Sequence, residues 1–144
     1  MAQLQLRTTP YVANWEELRH IIEQFCIQES LDSKLRFTVL LCCEEWFVNI
    51  VHHGYKDYTQ ESLQHEEIRL QIEHAANHQL RIEFSDGGPL FNPLKHKQPN
   101  LQEDVASRKP GGLGIYFIQS KMDQCIYDNK NQRNSLTMIK NLDN

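Results

Sequence analysis

Leu40-Leu41-Cys42-Cys43-Glu44-Glu45-Trp46-Phe47-Val48-Asn49-Ile50-Val51-His52-His53-Gly54-Tyr55 is the stretch from which the rest of the chain is read. Together with Phe37, its apolar positions Leu40, Leu41, Phe47, Val48 and Val51 recur at three- and four-residue steps, which predicts a helix burying one face. Glu45 and Asn49 stand one helical turn apart, so they share a side of that helix at the edge of its apolar stripe. A carboxylate beside a carboxamide makes a poor core. It is a good way to hold an oxygen-preferring ion such as Mg²⁺, which takes few protein ligands and keeps several waters, and to leave the carboxylate free as a base.

With 144 residues the chain is expected to form one domain (1–144), large enough to bury roughly two-thirds of its unfolded surface. Forty per cent apolar and 24% charged residues fit a soluble globular chain, and no run approaches a membrane span. The opening Met1-Ala2-Gln3-Leu4-Gln5-Leu6-Arg7 lacks the basic and apolar blocks of a secretory signal, so a cytoplasmic location is expected. Cys26, Cys42, Cys43 and Cys125 form no CxxC pair and suit a reducing compartment. The vicinal Cys42 and Cys43 point to different sides of a helix, which favours packing over redox work. A net charge of −4 argues against a nucleic-acid surface. The main basic group is Lys95, His96, Lys97, Arg108 and Lys109.

Working outward, residues 4–7 alternate weakly as a short first strand. Asn14 is the expected N-cap of an amphipathic helix over 15–28, with Glu17 completing a capping box. Asp32 or Ser33 caps the long helix, and Gly54 suits its end. Residues 56–67 read as a polar connection. Segments 68–73 and 80–84 alternate with period two around the turn residue Asn77, a hairpin with one apolar face. The second strand runs into Ser85-Asp86-Gly87-Gly88-Pro89-Leu90-Phe91-Asn92-Pro93, which neither strand nor helix tolerates. Residues 92–110 have no strong period beyond a turn of helix at 101–107, and a stretch of this kind is often a lid. Gly111-Gly112-Leu113-Gly114 leads into a third helix, and residues 125–127 and 136–140 close the chain as a hairpin around a polar turn at 128–134. The fold class expected is α+β: a two-layer sandwich with a mostly antiparallel sheet and helices on one face.

Three segments taken together suit a nucleotide. Asp86 can accept from an adenine amino group, Gly88 lets the backbone approach a flat base, and the glycines before Ile115 leave amides and a helix N-terminus for phosphates. The adjacent His52 and His53 diverge by about 100 degrees on a helix and do not readily share one ion.

At these residues the chain resembles the GHKL ATPase superfamily, a histidine-kinase-like ATPase domain of Bergerat type, and within it the anti-sigma-factor serine kinases of bacterial partner-switching systems. Glu45 to Tyr55 is similar to the N-box, with its E-x-x-x-N core. Asp86-Gly87-Gly88-Pro89-Leu90-Phe91-Asn92-Pro93 resembles the D-x-G-x-x-F-D-P box, with Asn92 where Asp is common. Gly111-Gly112-Leu113-Gly114-Ile115 resembles the G-G-L-G box that closes an ATP lid at about 92–114.

The resemblance implies ATP and Mg²⁺ as cofactors, Asn49 as the metal ligand and Glu45 as the general base that takes the serine proton. It implies that Asp86 and Gly88 seat adenine and that Gly112 and Gly114 meet the phosphates. His53, Phe91 and Leu113 inside the boxes, and Thr137 reaching adenine through water, complete the expected nucleotide-contacting set. The implied partner is a STAS-domain anti-sigma-factor antagonist, with a sigma factor as a further one; a homodimer is implied, and neither nucleic acid nor membrane. A different class of function fits the same boxes: a binding module that holds ATP or ADP and transfers no phosphate.

Overall fold

The computed structural model describes residues 2–95 and 112–142, with backbone alone at 112 and 113. Period-two alternation yields one five-stranded sheet from β1 (Ala2–Thr8), β2 (Ile68–Ala75), β3 (Gln79–Asp86), β4 (Gln124–Lys130) and β5 (Arg133–Asn141). The strand order is β1-β2-β3-β5-β4, and every pair is antiparallel. The register aligns Leu4, Ile72, Ile82, Met138 and Cys125 in one row across the sheet, and Leu6, Leu70, Phe84, Leu136 and Tyr127 in the next. Ile72, Ile82, Phe84, Leu136 and Met138 are buried in the core with the helices. The residues between them, Gln71, Glu83 and Thr137 among them, therefore stand on the opposite face.

Both hairpin turns rest on left-handed backbone. In the β2–β3 turn Ala75 pairs with Gln79, so residues 76–78 form the loop, and His78 (φ 60°) rather than Asn77 takes the positive angle. The β4–β5 turn is narrower than the expected 128–134: Lys130 pairs with Arg133, and Asn131 and Gln132 have φ of 53° and 63°. A two-residue turn with both angles positive matches the twist of its strands.

The helical layer comprises α1 (Trp15–Gln28), α2 (Ser33–Asn49), a short α3 (Gln60–Leu63) inside the expected polar connection, and α4 (Gly112–Lys121). Asp32 caps α2, its carboxylate accepting from Leu35 N at 2.8 Å. Asn14 makes no capping bond. Residues Val12–Asn14 already form a 3₁₀ turn, so Asn14 has helical angles, and its amide turns back to donate to Thr9 O and Oγ1 at 2.9 and 3.0 Å.

The buried stripe of α2 is also displaced from the expected one. Val39, Cys42, Cys43, Trp46 and Phe47 are its buried positions, whereas Phe37 is 64% exposed and Leu40, Leu41, Val48 and Val51 are half-buried. Both cysteines of the vicinal pair are thus core residues, on a face wide enough to meet its neighbours on more than one side. The Trp15 and Phe47 rings, 5.9 Å apart, join α1 to α2. Beyond Asn49 the helix widens into a π-turn, Ile50–Gly54, closed by Tyr55 N donating to Ile50 O at 3.2 Å. No described helix is long and apolar enough to cross a membrane. The expected helical turn at 101–107, Gly111 and the basic residues His96, Lys97, Arg108 and Lys109 lie outside the described residues; Lys95 ends a 3₁₀ turn, Pro93–Lys95.

Candidate functional site

β3 carries the chain inward until its last residue, Asp86, is a carboxylate only 5% exposed. Its Oδ1 accepts from Gly88 N at 3.0 Å and from Asn134 Nδ2 at 3.1 Å. Among the described residues no donor reaches Oδ2. Burial pushes the Asp86 carboxyl above its ordinary value, while the Asn134 and Gly88 donations and the Arg133 charge pull it back.

Two groups brace the turn after Asp86. The Tyr55 hydroxyl accepts from Gly87 N at 2.9 Å, and burial raises its phenol far above the usual value. On the other side Arg133 donates from Nε to Ser85 Oγ at 2.8 Å, and from Nη2 to the Glu67 and Ser85 carbonyls at 2.8 and 3.1 Å. Gly88 lies against the end of the π-turn: a Cβ there would stand 3.2 Å from both Asp86 Oδ1 and the Gly54 carbonyl oxygen. The start of α4 meets α2 in the same manner. A Cβ on Gly114, in the first turn of α4, would stand 3.2 Å from Asn49 Nδ2 and 3.5 Å from Glu45 Oε2.

These contacts enclose a cleft of about 480 Å³ lined by Asn49, His53, Asp86, Phe91, Ile115 and Asn134 among others. Its size lies within the range of small-molecule sites, roughly 300–1,000 Å³. Apolar walls with a few polar groups suit a flat heteroaromatic ring with a hydrogen-bonding edge. A groove of about 600 Å³ crosses the outer sheet face past Arg7, Arg69, Glu83 and Arg133. Two of its cations pair with Glu67, Arg69 at 2.6 Å and Arg7 at 3.7 Å, and none of the three sequence boxes opens into it.

Asn49, His53, Asp86 and Phe91 therefore line one cleft, with Gly88 beside Asp86. Glu45 is exposed on α2 next to Gly114. Gly112 and Leu113 lie in the first turn of α4. Thr137 is a correction: it pairs with Glu83, three positions along from the Asp86–Asn134 pair, an odd step that points it to the sheet's outer face and away from the cleft. The inner position opposite Asp86 belongs to Asn134, which the sequence reading missed. A signal for it existed, because counting back by twos from Met138 and Leu136 puts a polar residue on the core side.

The oxygen-rich set fits the expected groups. Asp86 offers a buried acceptor to a base, and Asn49 offers a neutral amide at the cleft wall, as suits a Mg²⁺ ion otherwise held by phosphates and water.

Serine/threonine-protein kinase BtrW of Bordetella bronchiseptica is 24% identical over 117 residues, covering 81% of this chain and 78% of that protein. Among solved structures, the RsbU and RsbW domains of a Mycobacterium tuberculosis protein align with a TM-score of 0.69 at 12% identity, over 99% of this chain. This chain spans 33% of that solved chain's length. The Pseudomonas aeruginosa SiaB–SiaC complex contains a chain that aligns with a TM-score of 0.64 at 15% identity, over 95% of this chain and 88% of that one. At such identities these two likenesses speak for the α+β fold alone. Residues 9–140 match the histidine kinase-like ATPase domain, and the chain belongs to that family.

Proposed function

We propose that the chain is an ATP-dependent protein-serine kinase that regulates a STAS-domain anti-sigma-factor antagonist by phosphorylating one of its serines. The observation that carries this reading is the approach of Gly114 to Glu45 and Asn49, at one wall of a cleft whose floor holds the buried Asp86. Asp86 Oδ2 accepts from the adenine amino group, and the bare backbone at Gly114 lets the start of α4 lie against the Glu45–Asn49 side of α2. Gly112, Leu113 and Gly114 present backbone amides to the phosphates there. Asn49 holds Mg²⁺, which neutralises phosphate charge when bound. His53 and Phe91 line the cleft beside the nucleotide.

Glu45, exposed and next to this wall, takes the proton from the serine hydroxyl as its oxygen attacks the γ-phosphorus of ATP, the bond from that phosphorus to the β–γ bridging oxygen breaks and ADP leaves. Phosphoryl transfer rests on placement and charge neutralisation, so a base, a metal ligand and backbone amides suffice. The name of the Bordetella relative, a serine/threonine-protein kinase, supports the transfer to a hydroxyl. With this reading go a homodimer, a cytoplasmic location and a sigma factor as a further partner.

The test mixes purified chain with Mg-ATP labelled at the γ-phosphate and the STAS-domain proteins of the same genome. Label on a serine of one of them, abolished by Glu45→Ala and by Asn49→Ala, is the expected result. Nucleotide binding without transfer to any candidate would turn the reading into a nucleotide-gated binding module.

A further inference from the structure

Asn134 sits where the strand pairing places it, opposite Asp86 and 9% exposed, and its amide is fully engaged. Oδ1 accepts from Phe91 N at 2.9 Å and from the Tyr127 hydroxyl at 2.7 Å. Nδ2 donates towards Asp86 Oδ1 at 3.1 Å, the Pro89 carbonyl at 3.0 Å and the Gly88 carbonyl at 3.3 Å. Only one orientation of the amide satisfies this set. A flip would set an NH₂ group against the Phe91 N–H and an oxygen against two carbonyls and a carboxylate.

We infer that Asn134 is a positioning residue that determines base specificity: by occupying Oδ1 of Asp86 it leaves Oδ2 as the acceptor offered to the cleft, selecting a 6-amino purine over a 6-oxo purine. The chemistry is one of matching donors to acceptors. An ionised carboxylate accepts and cannot donate, so a 6-amino group completes its bonding and a 6-oxo group leaves two acceptors facing each other in a buried site. Gly88 N alone cannot fix the carboxylate, because the Gly88–Phe91 loop to which it belongs is itself held by Asn134. Removing the amide frees the carboxyl to rotate and deprives it of a donor that favours its charged form, and a protonated Asp86 can donate to a 6-oxo group.

This inference rests on the nucleotide reading above, and its test separates the two. Calorimetric titration of the full chain, in Mg²⁺, compares ADP with inosine diphosphate, which differ only in the purine: the 6-amino group becomes 6-oxo and N1 gains a hydrogen. Wild type is expected to favour ADP by at least about tenfold, the worth of one buried hydrogen bond lost. Asn134→Ala should bring the two affinities to within about threefold of each other, by loss of ADP affinity and gain of inosine diphosphate affinity. Tyr127→Phe, which keeps the amide and removes one donor that orients it, should shrink the ratio partway, and it decides the matter if Asn134→Ala does not fold. A ratio equal to wild type in the folded variants overturns the role of Asn134 and leaves the nucleotide site standing. Wild type binding neither diphosphate overturns both.

Discussion

Gly114 and Asn49 are packed so closely that a single methyl on the glycine would come within 3.2 Å of the amide nitrogen of the asparagine. The contact ties the start of α4 to the side of α2 that carries Glu45. It also gives a substitution whose effects on stability and activity run in opposite directions.

Gly114→Ala is expected to leave thermal stability unchanged or slightly higher, since alanine exceeds glycine in helix propensity by about 0.8–1.0 kcal/mol. Phosphoryl transfer should fall at least roughly tenfold, because the methyl displaces Asn49 and crowds Glu45 Oε2 at 3.5 Å. Thermal unfolding and a transfer assay on the same preparation check the pair.

Glu45 stands at the cleft's edge and lines none of the base pocket. Glu45→Gln should therefore retain ATP affinity while slowing transfer by about 10²- to 10⁴-fold, the usual contribution of a positioned base. Titration with ATP and a single-turnover time course separate the two.

Protonation of Asp86 is expected to couple nucleotide binding to pH. Its pKa is raised in the folded state, chiefly by burial, so its favourable contribution is fully present below the unfolded-state carboxylate value and lost as pH rises through the folded value. At neutral pH the ionised group is thus a cost. Asp86→Asn should raise the melting temperature of the ligand-free chain and lose selective ADP binding, the amide oxygen keeping the Gly88 and Asn134 donors. In wild type, ADP affinity should weaken as pH falls through the raised Asp86 value.

At Gly88 the obstacle is backbone, for the added Cβ would meet the Gly54 carbonyl oxygen at 3.2 Å. Gly88→Ala should cost about 1–3 kcal/mol, as for overpacking elsewhere, and weaken ADP binding as well. Chemical denaturation measures the first and calorimetry the second.

Burial pushes the Cys42 thiol up to about 12 and those of Cys26 and Cys125 up to about 11, with Cys43 raised as well. All four should react slowly with a thiol reagent at pH 8 in the native chain and rapidly once it is denatured.

Local periodicity made the strands, the three longer helices and the Glu45–Asn49 pair legible, because each depends on residues within a few positions. Thr137 failed for the opposite reason. Which face a strand residue occupies is set by pairing with a distant strand, here Asp86 with Asn134, and one step of register exchanges the faces. Asn134 went unnoticed because its five partners are gathered from β3, β4 and the loop after Gly87, none of them a neighbour in sequence. The stripe of α2 was displaced because a helix packed on several sides buries more than one apolar row, and the rule of one buried face no longer selects among them. Asn14 lost its cap to a 3₁₀ turn that local composition did not announce.

Transfer of a phosphoryl group to a protein serine is what separates a kinase from a module that only holds nucleotide. Intact mass and phosphosite mapping of each STAS-domain protein, after incubation with the chain and Mg-ATP, test it most directly. Wild type should add one phosphoryl group to a single serine of one partner, and a Glu45→Gln variant that still binds ATP should add none. A wild-type chain that binds ATP and leaves every such protein unmodified would contradict it.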